Sequence, residues 1–506
     1  MHLGSACIIM QQQLTPITII GFILAYFLVL IGISYFTSRN ANNEKFFLAG
    51  RQSKWWMVAI GMIGASLSGV TFMSVPGDVG KSSFSYFQVV LGYLVGYLVI
   101  ALVLLPLYYR LRVTSIYSFL EKRFGFFAYK TGAGYFLLSR TIGSALRLYL
   151  VALVLQKFVL GPMGAPFFMT VAVTIVLIWV YTFKGGINTI IYTDVLQTVF
   201  MLAAVVLTIL SISHALETDV PGMIQMVSNS KFSKTFFFEG GWGDSNNFYK
   251  QFIGGALITI VMTGLDQDMM QKNLTCPNIR DAQKNVFTFS IILVGANLLF
   301  LTLGALLYLY SANIGIDLPA KADELYPTIA LRHLPLSVSV MFILGVIAAA
   351  YSSADSTLTA LTTSFCVDFL NFEKRPEPEE TKKRWRRMVH IGFSVLLFLV
   401  IIISNELVNE SVIYQVLKVA GYTYGPLLGL FTFGMFTKLK VRDNLVLPVC
   451  LAAPVITILL DVYSARILYG FEFGYLNLAV NGLLTFLGLF AISYRDYTDQ
   501  LDQAHR

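Results

Sequence analysis

In AAAYSSADSTLTALTTS, residues 348–364, Ser352, Asp355 and Ser356 stand at i, i+3 and i+4. On a helix that spacing places two hydroxyls and a carboxylate on one face. Ser353 and Ala349 border the face and add a further hydroxyl and a backbone carbonyl. Grouped oxygens with one carboxylate suit a hard cation such as sodium, or a proton, whereas a bare serine stripe would serve helix packing. A second segment, GMIGASLSGVTFMSVPG at 61–77, interrupts an apolar run with four glycines and several hydroxyls. Backbone freed inside a membrane must line a cavity or be buried in protein. Lone charges complete the set. Asp194 lies in TIIYTDVLQT, where it suits a cation site, a boundary position or a lysine partner. Arg140 and Arg147 are seven apart and so nearly on one helix face. Arg147, deep in its span, requires a carboxylate, a carbonyl cluster or an anionic ligand, with Asp194 and Asp355 as the nearest candidate partners. Lys418 is a further intramembrane cation.

The elements that must position these groups are apolar. The 506 residues are 56% hydrophobic and 13% charged, with a mean hydropathy of +0.70, where soluble domains carry about 25% charged residues. This excludes a secreted disulfide scaffold, a nucleic-acid binder and an outer-membrane barrel, whose strands would alternate in polarity. Cys7, Cys276, Cys366 and Cys450 show neither paired nor metal-like spacing, and the five histidines form no cluster. Apolar runs predict spans at about 16–36, 55–76, 84–109, 131–156, 166–183, 189–213, 251–270, 286–310, 335–368, 388–404, 411–436, 444–461 and 474–493. Alternate loops hold 25 and 8 of the Lys and Arg residues, which places the N-terminus outside and the C-terminus inside. The first nine residues lack the features of a signal peptide and read as an extension before a second start at Met10. Segment 214–250, with Gly240, Gly241 and Gly243, reads as a short lid or re-entrant turn. The charge run 371–387 reads as a solvated linker near anionic headgroups.

Six ordered segments carry a resemblance: SLSGVTFMSVPG at 66–77, VTSIYSFLEKRFG at 113–125, YTFKGGINTIIYTDVLQ at 181–197, TGLDQDMMQKNL at 263–274, SSADSTLTALTTSFCVDF at 352–369 and GYTYGPLLGLFTFGMF at 421–436. The chain resembles bacterial sodium:solute symporters, in particular their sialic-acid and sugar branch. The resemblance implies an all-α membrane protein of about 13 transmembrane helices with the LeuT fold. Two inverted five-helix repeats, 55–213 and 251–436, follow an external segment 1–15 and an extra helix 16–36. Two extra helices in 444–493 and a cytoplasmic tail 494–506 come after them. The first helix of each repeat is broken, at 61–69 and around Gly254, Gly255, Thr263 and Gly264; interrupted helices in matching positions of two halves point to a transport site. The residues by themselves reveal only the first break.

By the same resemblance a sodium ion is held by carbonyls of Gly64, Leu67 and Ala349 and hydroxyls of Ser352 and Ser353. Gly64 stands where relatives often carry Ala, an exchange that a carbonyl ligand is expected to tolerate. A second sodium site maps to Asp194, Ser352, Asp355 and Ser356, with an aspartate at 355 where that branch has serine. Substrate hydroxyl contacts map to Ser66, Ser68 and Thr71. The branch's carboxylate-binding arginine aligns with Gly143, flanked by Arg140 and Arg147, so a sugar acid and a neutral sugar both stay open. The implied function is sodium-coupled import of a small polar solute across a bacterial inner membrane by a monomer, with one or two sodium ions per substrate and without ATP or nucleic acid. No GxxxxGK[ST] loop is present for an ATPase. An enzyme using Asp194 and Asp355 lacks a nucleophile arrangement. A solute-sensing receptor of the same fold would need a signalling module, and a proton-coupled symporter is the remaining alternative.

Overall fold

Long apolar runs can satisfy their backbone within a bilayer only as helices or closed barrels, and this chain uses helices. The computed structural model describes residues 15–38, 43–182, 186–407, 412–467 and 471–495. Cys7, the second start at Met10, Arg39, Lys184 and the tail beyond 495 lie outside them. The first helix is α1 (Pro16–Thr37), begun by Thr15, whose hydroxyl accepts from the Thr18 N–H, and by Pro16 in the first turn. A bent pair follows, α2a (Trp55–Ser66) and α2b (Gly69–Ser82), angled at 54°. Next come α3 (Tyr86–Leu111), α4 (Phe126–Met163), α5 (Phe167–Thr182) and α6 (Ile187–Ala215). A second bent pair, α7a (Phe248–Gly264) and α7b (Gln267–Asn273), turns by 69°. Then come α8 (Ile279–Ile314), α9 (Leu336–Phe369), α10 (Glu379–Leu407), α11 (Val412–Phe436), α12 (Asp443–Ser464) and α13 (Gly474–Ala491).

Among the described residues, nine helices are long and apolar enough to cross a membrane, or eleven if each bent pair is one span. Apolar length therefore counts two fewer spans than the sequence reading. Helices α5 and α11 occupy the other two predicted positions: α5 has only 16 residues, and α11 carries Lys418, Pro426 and a glycine-rich face.

Packing places the chemistry-bearing helices together. Helix α6 lies along α9 and α2a, α3 along α7a, α8 against α2b, and α4 against α9, α10 and α11. Helix α1 leans on α5, α6 and α9. Small residues set the closest contact: a Cβ at Gly255 would lie 2.2 Å from the Val89 carbonyl oxygen, and one at Gly92 2.1 Å from that of Phe252. Of the four residues expected around the second break, Thr263 and Gly264 adjoin it but Gly254 and Gly255 do not. Those two glycines sit inside α7a, where Gly255 lets it touch α3, and the break falls later, after Gly264.

The loops also differ from their sequence reading. Helix α10 begins at Glu379, inside the predicted linker, and buries Arg386 with its guanidinium 4.0 Å from the centre of the Phe46 ring. Segment 214–250 is an ordered cap rather than a re-entrant turn. It contains a helix at Val220–Ser228, and the Phe237 N–H donates to Gln88 Oε1 at 3.0 Å at the start of α3.

Candidate ion and substrate site

The helical ladder of α2 stops at the bend. The Leu67 N–H donates to the Ile63 carbonyl at 2.8 Å, and the next such bond runs from Phe72 to Ser68 at 3.0 Å. Helix ends leave their last four carbonyls without partners, and here these belong to Gly64, Ala65, Ser66 and Leu67. Among the described residues no donor reaches them. Helix α9 runs past this bend with Ala349, Ser352 and Ser353 all buried. A Cβ on Gly64 would lie 3.2 Å from Ser352 Oγ, so the hydroxyl faces the bend. Of the five residues predicted for the first sodium, Gly64 and Ser352 face each other across α2a and α9, with Leu67 at the bend and Ala349 and Ser353 buried on α9. The exchange of Gly64 for Ala is not neutral, however. The same Cβ would lie 2.4 Å from Thr198 Oγ1, which is fixed by donating to the Ile60 and Asp194 carbonyls at 2.9 and 2.7 Å.

Of the four residues predicted for a second sodium, Asp194 and Ser352 meet, whereas the side chains of Asp355 and Ser356 turn to other partners. Asp194 is fully buried and accepts from Ser352 Oγ at 2.7 Å on one oxygen and from Lys272 Nζ at 2.7 Å on the other. The lysine ammonium occupies the carboxylate that a sodium ion would use. Ser356 Oγ donates instead to Asp268. Asp355 accepts from the Tyr181 hydroxyl at 2.8 Å and from the Ser356 N–H at 2.5 Å. The physical reason is α7b, which carries Asp268 and Lys272 into the core. Lys272 is 1% exposed.

Beside the α2 bend lies a cavity. Ser66, Ser68 and Thr71 line it together with Tyr86, Tyr93, Tyr97, Thr259, Thr263 and Asn297, and both arginines reach it. Tyr86 and Ile413 also line a second cleft containing Asp78, Ser82 and Asn246, so the cavity leads toward the end of the molecule remote from the basic loops. Its floor at the other end is ionic. Arg140 pairs with Asp268 and lies 3.8 Å from Asp266, and the Tyr424 hydroxyl donates to Asp266 at 2.5 Å. Arg140 is therefore spent on the protein itself. Arg147 has no ion pair among the described residues; its Nη1 approaches Ser353 Oγ at 3.4 Å. The predicted partners Asp194 and Asp355 are engaged elsewhere.

The α7 bend is closed where the α2 bend is open. The Tyr108 hydroxyl donates to the Gly264 carbonyl at 2.9 Å and Tyr117 to that of Leu265 at 3.0 Å. Asp266 caps α7b by accepting from the Asp268 and Met269 N–H groups at 3.0 and 3.3 Å.

The profile of the sodium:solute symporter family matches residues 46–443. The chain belongs to the sodium:solute symporter family. It is 26% identical over 482 residues to the sodium/sialic acid symporter NanT of Aliivibrio fischeri, covering 93% of this chain and 92% of that one. It is 24% identical to the sodium/sialic acid symporter SiaT of Proteus mirabilis, over 90% and 92% of the two chains. The structure of a Na+-coupled sialic acid symporter in a substrate-bound outward-open state superposes with a TM-score of 0.78 at 21% identity, covering 94% of this chain and 97% of that one. A nucleobase-cation-symport-1 family transporter superposes with a TM-score of 0.55 at 15% identity, over 89% and 96%. The symporter is thus a multi-pass membrane protein of LeuT-type fold that couples movement of a small solute to sodium, and it is not an enzyme.

Within this symporter the sequence reading missed Asp266, Asp268, Lys272, Tyr181 and Tyr424. A signal for three of them was present: TGLDQDMMQK sets Asp268 and Lys272 four apart on one helix face, with Asp266 just before it. Three charges beside a helix break in an apolar chain call for partners, and the sequence already places cations within a span at 140 and 147.

Proposed function

We propose that this symporter imports a small hydroxylated carboxylate of the sugar-acid class, of which sialic acid is one, in the bacterial inner membrane. The observation that carries the reading is Arg147, a cation that faces the cavity without an ion-pair partner among the described residues. A guanidinium fork binds a carboxylate bidentately, and leaving it unpaired in a membrane is costly. Ser66, Ser68 and Thr71 supply hydroxyls for a polyol chain, and Tyr86, Tyr93 and Tyr97 offer ring faces and hydroxyls. Sodium sits between the α2 carbonyls of Gly64 and Leu67 and the α9 groups of Ala349, Ser352 and Ser353. Because Arg147 approaches Ser353, ion and substrate meet at one residue, and each tightens the other by the same factor. The basic-loop asymmetry supports an N-terminus outside and a C-terminus in the cytoplasm, so the cavity faces outward and the Arg140–Asp266–Asp268 floor separates to release cargo inward. A single chain contains the whole pathway, and the functional unit is a monomer.

The test is a thermal-shift panel on the purified full chain, with sugar acids, matched neutral sugars and amino acids in sodium and in choline. Stabilisation by a sugar acid only in sodium is expected. Arg147→Lys keeps the charge but loses the fork, and should weaken that ligand by about 1.5–3 kcal/mol while sodium alone still stabilises. Equal response in choline refutes sodium coupling. A response confined to neutral sugars refutes the role of Arg147.

A further inference from the structure

Helix α11 carries Pro426 in its interior. Proline has no N–H, so the carbonyl one turn earlier, that of Tyr422, loses its helical donor. Inside a membrane such a carbonyl is tolerated only where a neighbouring group satisfies it again. Here the neighbour is α13. Asn481, fully buried, donates through Nδ2 to the Tyr422 carbonyl at 2.7 Å and to that of Gly421 at 3.1 Å. Glycines make the approach possible: a Cβ at Gly425 would lie 2.1 Å from Asn481 Cγ, and one at Gly429 2.4 Å from Thr485 Cβ. The Tyr422 side chain is held as well, by donating to Asp461 of α12. Both helices that hold Tyr422 lie outside the two expected repeats.

Two residues beyond Tyr422 the chain reaches the floor of the cavity. The Tyr424 hydroxyl donates to Asp266 at 2.5 Å, and Asp266 lies 3.8 Å from Arg140. The preceding turns of α11 supply Ile413, Val416 and Leu417 to the cavity wall. The proline turn thus stands between wall and floor, and its pitch sets where the Tyr424 hydroxyl falls. That turn lacks one of the bonds that would fix its pitch, and the fixing comes from α13 instead. We propose that Asn481 is a positioning residue for transport: it replaces the N–H that Pro426 lacks, holds Tyr424 on Asp266 and so keeps the floor sealed until cargo is released. This rests on the reading above, in which the Arg140–Asp266–Asp268 floor is the inner barrier. It gives α13 a part in coupling sodium to cargo, beyond packing against α11. A backbone N–H at 426 and the Asn481 amide are then alternative donors to one carbonyl. Supplying the first should make the second dispensable.

The test measures entry of radioactive sodium, without substrate, into proteoliposomes holding the full chain, per folded protein. The wild type should admit little. Tyr424→Phe removes the hydroxyl from the floor, and Asn481→Leu removes the donor while keeping the side chain's size; each should raise substrate-free entry several-fold. Adding Pro426→Ala to Asn481→Leu gives the Tyr422 carbonyl a backbone donor, and entry should fall back to the wild-type rate. Adding Pro426→Ala to Tyr424→Phe should not reduce its leak, because the missing group there is the hydroxyl itself. Lower thermal stability in Asn481→Leu with wild-type sodium entry would make Asn481 a packing residue and overturn the proposal. A leak in Asn481→Leu that Pro426→Ala does not reverse would do the same, while leaving the floor as the barrier. Wild-type entry in Tyr424→Phe would instead overturn the reading of the floor, and this proposal with it. Where Asn481→Leu does not fold, Asn481→Ser, too short to bridge to the two carbonyls, is measured in its stead.

Discussion

The two bent helices invite direct comparison. Both α2 and α7 break near the middle of a span, and both breaks must leave backbone groups without helical partners. At α7 the protein fills them: Tyr108 and Tyr117 cap the carbonyls of Gly264 and Leu265, and Asp266 caps the amide groups of α7b. At α2 the carbonyls of Gly64 to Leu67 keep no donor among the described residues, and Ser68 makes no side-chain cap. A bend that its own protein satisfies is scaffold, whereas one left unsatisfied beside buried hydroxyls is free to take the proposed ion. The two arginines of α4 repeat this contrast, with Arg140 locked to the α7 carboxylates and Arg147 open to the cavity.

The largest effect should come from breaking the closed bend. Arg140→Gln leaves Asp266 and Asp268 buried without their cation, and breaking such a pair costs about 3–5 kcal/mol. Thermal unfolding in detergent should show a large drop in midpoint together with lost expression. Arg147→Gln, seven residues away, removes a cation that has no ion pair to lose, and its midpoint should stay near that of the wild type. Equal drops for the two variants would erase the distinction between the bends.

Much of this arrangement is legible in the sequence, and the reason is energetic. Polar residues are costly in an apolar span, so those present stand out: Asp194, Asp355, Arg140, Arg147 and the Ser352–Ser353 pair all project into the core or the cavity. The α2 break is visible because glycines and hydroxyls cluster there. The α7 break was not visible from the residues alone, because its glycines serve contact with α3 and its caps come from tyrosines 148 and 156 residues away. Pairing was the least legible feature. One-dimensional spacing says that Asp194 needs a partner, but only the three-dimensional course of α7b selects Lys272.

An intermediate effect should follow at the open bend. Ser353→Ala removes one hydroxyl ligand, and one such contact is worth about 1–1.5 kcal/mol. The sodium concentration for half-maximal binding should rise about tenfold, with expression and unfolding midpoint nearly unchanged. A fall in stability without a change in sodium affinity would mean that the serine packs helices, and the α2 bend would then be scaffold like α7.

The smallest effect is expected of a double variant, and it sharpens the comparison most because it concerns space rather than charge. Gly64 has no room for a methyl group as long as Thr198 keeps its place, since the added Cβ would lie 2.4 Å from Thr198 Oγ1. Thr198 is held there by hydrogen bonds to the Ile60 and Asp194 carbonyls, so it cannot swing away freely. Gly64→Ala should therefore push α2a off α6 and cost about 1–3 kcal/mol by overpacking. The push also moves the Gly64 carbonyl relative to Ser352, so sodium affinity should fall along with stability. Thr198→Ala by itself removes one hydroxyl that bonds carbonyl groups, at about 0.5–1.5 kcal/mol. Combined with Gly64→Ala, it vacates the volume that the new methyl group needs. The double variant should then recover both sodium affinity and stability to within about 1 kcal/mol of Thr198→Ala alone, a coupling characteristic of residues in contact. Additive losses would show that Gly64 matters for the conformation of the bend itself, not for its distance from α6.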